Sequence, residues 1–151
     1  MLLEFHVKMD DRTIVRRQLL YDGDCGFCQR WCEWAMRHGA EVSIEFKPCQ
    51  LAQELRRLAG ISDRECTKTA LLIESGENDR IVTVRRGASA INGVLASLPG
   101  KRNVLWRLLS YLYRVPGIKQ MEEIGYRIIA RIRGHLSGGS CRMPAELKKE
   151  E

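Results

Sequence analysis

The chain has 151 residues, 44% hydrophobic and 29% charged, with a net charge of +6 and six cysteines. That length buries a core without metal or disulfide staples and predicts a single domain over residues 1–151. No apolar run is long enough to span a bilayer, and residues 1–6 lack the basic start and apolar stretch of a signal peptide, so a reducing, cytoplasmic setting is expected for the cysteines.

In chain order, residues 1–16 are mixed and charged, either an extra strand or a loose arm. Residues 18–21 read as the first central strand, and 26–38 as a helix stopped by Gly39. Val42, Ile44 and Phe46 alternate with polar residues, which is strand periodicity, and Pro48 ends that strand. A helix is predicted over 50–59, with Leu51, Leu55 and Leu58 on one face and Gly60 as its stop. Residues 70–73 and 81–84 read as a hairpin around the polar turn 74–79. A helix over 87–98 ends at Pro99-Gly100. Two further helices, 102–114 and 117–134, are separated by Pro116. Their stripes (Leu105, Leu108, Leu109 and Leu112; Ile124, Ile128, Ile129 and Ile132) are expected to pack back on the domain, because a bare stripe of that size invites aggregation. The order of elements predicts an α/β fold with a central sheet and helices on both faces. The core is expected over about 17–100, a helical extension over about 101–135 and a tail over 136–151.

The chemistry concentrates in Tyr21-Asp22-Gly23-Asp24-Cys25-Gly26-Phe27-Cys28, a Cys-X-X-Cys pair at a strand-to-helix turn. In a reducing setting such a pair serves redox or metal chemistry more often than structural bridging. Cys25 stands at the helix N-terminus, where unpaired N–H groups favour a thiolate; it is the candidate nucleophile and is expected to be the more exposed thiol. Cys28, one turn in, is the candidate resolving thiol. Asp22 and Asp24 flank the turn, either as a general base for Cys28 or as helix cap and turn former. Cys32 shares a helix face with Cys28 and reads as a buried, inert thiol. The pair is half a zinc site at most, since no second Cys-X-X-Cys or His-X-X-X-His completes it. Nor is the cysteine spacing a ferredoxin run. Cys49, Cys66 and Cys141 are scattered, and His6, His38 and His135 carry no motif and read as surface residues. Residues 101–135 hold eight Lys and Arg against Glu122 and Glu123, the whole excess charge of the chain. They form a solvated face or a site for an acidic partner, a nucleic acid or an anionic membrane surface. No nucleic-acid motif is present, and Trp106, Tyr111 and Tyr113 read as core.

Asp22-X-X-Cys25-X-X-Cys28 resembles the signature of the DCC family of thiol-disulfide oxidoreductases. Phe46-Lys47-Pro48-Cys49-Gln50, Arg85-Arg86-Gly87-Ala88-Ser89-Ala90 and Cys141-Arg142-Met143-Pro144 extend the resemblance over roughly residues 18–144. It implies a thioredoxin-like fold and thiol-disulfide exchange, and it favours Asp22 as the assisting carboxylate, because the motif includes it. The chain departs from thioredoxins at Cys66-Thr67-Lys68-Thr69-Ala70, which lacks their cis-proline, so trans geometry is expected there and general protein-disulfide reduction is put in doubt. The expected activity is disulfide exchange at Cys25 and Cys28 on a protein or low-molecular-weight disulfide, recycled by an external reductant, with no metal or organic cofactor. The alternative is a basic protein- or anion-binding module whose cysteine pair is non-catalytic or holds metal.

Overall fold

The computed structural model describes residues 16–76 and 79–136, with side chains through Arg133. The expectations for residues 1–15, the side chains of His6 and His135, and Cys141 lie outside this set.

The first strand, β1 (Arg16–Tyr21), is central. It pairs in parallel with β2 (Glu45–Pro48) and antiparallel with β3 (Leu71–Ser75), which pairs antiparallel with β4 (Ile81–Arg86). The sheet order is β2-β1-β3-β4. A parallel β1–β2 pair needs a crossover, and α1 (Gly26–Arg37) supplies it. This is a thioredoxin-like α/β fold. Both faces of the sheet are covered, so neighbouring residues of one strand enter different cores. Leu19 and Leu72 join Cys32, Ala35, Ala90 and Val94 under α1 and α4 (Ala88–Ser97). Leu20, Leu71 and Ile73 join Ala52, Ile61 and Cys66 against α2 (Gln53–Leu58) and α3 (Asp63–Lys68).

Several boundaries differ from the sequence reading. Gly39, at φ 88°, turns the chain straight from α1 into a short 3-10 turn over Ala40–Val42, which leaves Val42 79% exposed. The second strand therefore starts at Glu45, where pairing with Gln18 sets the register, and Pro48 is its last residue. The helix expected over 50–59 is a 3-10 turn, Cys49–Leu51, followed by α2, with Leu58 exposed. Helix α3 adds an element to the sequence reading, and Ser62-X-X-Glu65, which has the form of a capping box, starts it: the Ser62 Oγ accepts from the Glu65 N–H at 3.2 Å. The hairpin is present, but Glu74 is strand rather than turn. It is buried, and Arg17 (2.8 Å) and Arg85 (3.4 Å) neutralise it.

The largest correction concerns the last two helices, α5 (Val104–Leu112) and α6 (Ile118–Leu136). Both form, and the residues of both stripes are exposed rather than packed back on the domain, Ile129 also bordering the cavity beside Cys28. On α5 the inward face is Asn103, Trp106, Ser110 and Tyr113; Trp106 meets Trp34 edge-on at 5.1 Å. Leu105 is 62% exposed and Leu108 60%. On α6, Ile124, Ile128 and Ile132 are likewise exposed. Tyr111, read as core, is 51% exposed.

Candidate active site

The turn after β1 is built from its own polar atoms. The Asp22 Oδ1 accepts from the Asp24 N–H at 3.1 Å, an Asx turn. The Cys25 N–H donates to the Asp22 carbonyl (3.2 Å), and the Cys25 carbonyl accepts from the Gln29 N–H (3.0 Å) as the first bond of α1. Cys25 is thus the N-cap residue, at the positive end of the helix dipole. From the far side Gln50 fastens the turn. Its amide donates to Asp22 Oδ1 (3.2 Å) and Asp24 Oδ2 (3.1 Å) and accepts from the Gly23 N–H (3.1 Å).

The relative exposure of the two thiols is the reverse of that expected. Cys25 is 5% exposed, tucked under the turn, whereas Cys28 is half-buried and faces a cavity. Burial, and then a hydrogen bond with the Cys25 side chain, push the Cys28 thiol up to about 12; the Arg133 guanidinium works against that rise. Cys32 is buried, as expected, and burial raises its thiol still further.

Helix α6 closes the site from above. Its Arg133 Nη1 lies 3.3 Å from the Cys28 Sγ, and its Nη2 lies 3.9 Å from the Asp22 Oδ2 and donates to the Thr67 carbonyl. About two turns earlier, the Tyr126 hydroxyl accepts from the Ala70 N–H at 2.7 Å. The peptide bonds from Cys66 to Ala70 are trans. The turn carrying Asp22, the segment ahead of β3 and α6 therefore meet around Cys28. Between them lies a cavity of about 170 Å³ with mainly apolar walls, including Tyr21, Trp31, Ile129 and Tyr126, and with Arg133 as its cation.

Three of these residues escaped the sequence reading as site components. Gln50 stood only within a familiar stretch, Arg133 only in the charge count, and Tyr126 nowhere; long-range contacts leave no local pattern. Nor was a partner assigned to Cys49 or Cys66. They form a disulfide across 17 residues, next in sequence to Gln50 and Thr67. His38, read as a surface residue, is half-buried, with its Nδ1 2.8 Å from the Trp34 carbonyl oxygen. Among the described residues, no three His, Cys, Asp or Glu side chains gather into a set that could hold a metal ion.

The family model for DCC1-like thiol-disulfide oxidoreductases matches residues 19–139. No curated protein and no solved structure matches the chain. With a Cys-X-X-Cys pair at the head of α1, a thioredoxin-like sheet behind it and this match over most of its length, the chain belongs to the DCC1-like thiol-disulfide oxidoreductase family.

Proposed function

We propose that this single-domain protein reduces disulfides through Cys25 and Cys28, with Asp22 as the proton acceptor. The Cys25 thiolate attacks one sulfur of a substrate disulfide. A Cys25–substrate disulfide forms, and the other substrate sulfur leaves as a thiolate and takes a proton from water. Cys28 then gives its proton to the Asp22 carboxylate and attacks the Cys25 sulfur, and the second substrate sulfur leaves as a thiolate that takes a proton from water. The protein ends as the Cys25–Cys28 disulfide, and an external dithiol reductant returns it to the thiol form. The observation that carries this reading is the placement of the pair: Cys25 caps α1 at the positive end of its dipole, and Cys28, one turn on, stands beside Arg133, which also reaches the Asp22 carboxylate. Burial and a hydrogen bond with Cys25 raise the Cys28 thiol, which suits it to the second, resolving step rather than the first attack.

A low-molecular-weight disulfide suits the site better than a protein. Arg133 and Tyr126 already occupy the Thr67 carbonyl and the Ala70 N–H, backbone groups that an extended peptide would need. The reading places the protein in the cytoplasm; the Cys49–Cys66 disulfide is the observation against that compartment, and alkylation during cell lysis decides it.

The test is a redox titration in glutathione buffers, read by alkylation and intact mass. A two-electron transition is expected, lost in Cys25→Ser and in Cys28→Ser, with Cys28→Ser holding glutathione on Cys25. Asp22→Asn should leave the first step intact and slow resolution by about 10²-fold, so that the same mixed disulfide accumulates. If the wild-type protein shows no transition, the proposal fails and the binding-module alternative takes its place.

A further inference from the structure

Independently of the redox site, we propose that the outer face of α5 and α6 docks on an anionic lipid bilayer, with both helices lying in the plane of the interface. Leu105, Leu108 and Leu112 on α5 and Ile124, Ile128 and Ile132 on α6 are all exposed. These side chains recur at helical spacing, so each helix presents an aliphatic row rather than scattered apolar residues.

The charges around these rows are of one sign. Lys101 and Arg102 stand at the head of α5, and Arg114 and Lys119 at its junction with α6; all four are exposed. Arg127 and Arg131, also exposed, each lie three residues beyond an isoleucine of the row, and are its neighbours on the helix surface. The two acidic residues of these helices are turned inward. Glu122 accepts from the Asn92 side-chain amide at 2.7 Å and Glu123 from the Tyr113 hydroxyl at 2.9 Å, and both are half-buried. Among the described residues of 101–133, no exposed carboxylate remains to repel an anionic surface.

Charge also selects the occupant. A second copy of this chain would bring a cationic face against a cationic face. A nucleic acid would leave the aliphatic rows in water, because leucine and isoleucine do not stack on bases. An anionic bilayer meets both properties: acyl chains take the rows, and headgroup phosphates take the Lys and Arg side chains. No helix among the described residues is long and apolar enough to cross a membrane, so the contact is one of surface docking.

The test is vesicle flotation of the full chain, with phosphatidylcholine alone and with phosphatidylcholine plus phosphatidylglycerol. Binding to the anionic vesicles is expected, weakening as salt rises. Arg127→Gln and Arg131→Gln should each lower affinity roughly fivefold. Leu108→Asp with Ile128→Asp should abolish flotation and leave the circular dichroism spectrum unchanged, since both positions are exposed. The proposal is overturned if anionic vesicles do not carry the protein, if neutral vesicles carry it equally well, or if light scattering shows a dimer that the Leu108 and Ile128 substitutions dissociate.

Discussion

Cys28 is held as a thiol by its surroundings rather than by its place in the helix. Burial comes first among the causes, then the hydrogen bond with Cys25, and together they outweigh Arg133 and bring the thiol to about 12. At neutral pH, iodoacetamide should therefore leave Cys28 unmodified in the folded protein, with alkylation rising only as pH approaches that value. Peptide mass spectrometry reads the site directly. The same shift has a consequence for stability. The folded value lies above the ordinary 9.0, so the neutral thiol favours the folded state fully below pH 9 and loses that advantage as pH rises through about 12. Unfolding free energy should fall over that window, and Cys28→Ala should flatten the fall.

Between elements, the Cys49–Cys66 disulfide clamps the start of the α2 segment to α3, on the face of the sheet opposite α1. Closing a loop of 17 residues removes unfolded-state freedom worth about 3 kcal/mol. A Cys49→Ala, Cys66→Ala variant is expected to lose about that much in urea unfolding. It also releases Gln50 and Thr67, the residues that tie the Asp22 turn and Arg133 in place, so its glutathione titration should shift along with its stability. Packing between α4 and β3 is as tight as a contact without a side chain permits: a Cβ on Gly93 would stand 2.5 Å from the Leu72 Cδ2. Leu72 is fully buried, so a side chain at Gly93 would have to displace it within the core.

Across the whole molecule, two cores on either side of one sheet share β1 and β3, so they should melt together. The single-domain reading predicts coincident urea transitions by circular dichroism and tryptophan fluorescence. The fluorescence is informative because Trp106 on α5 packs edge-on against Trp34 on α1. An earlier fluorescence transition would mean that the helical extension detaches before the core, and would divide the chain into two units.

Much of this was legible in the residues themselves. Hydrophobic periodicity, Gly39 and the Cys-X-X-Cys turn located β1, α1, the hairpin and the three C-terminal helices, because those signals are local and repeat within a few residues. The resemblance carried by Asp22, Cys25 and Cys28 pointed to the family that the match over 19–139 establishes. Periodicity also identified α5 and α6 as amphipathic, but not which face turns inward: Trp106 and Tyr113 took the core of α5, and the leucines were left outside. The companions of Cys28 were decided in the same way. Arg133, Tyr126 and Gln50 reach the site from 105, 98 and 22 positions away in this numbering, and the Cys49–Cys66 pairing joins two segments that no local pattern links. Local preferences set what each segment becomes. Which segments meet, and which thiol is left facing the cavity, follow from how the helices close over the sheet.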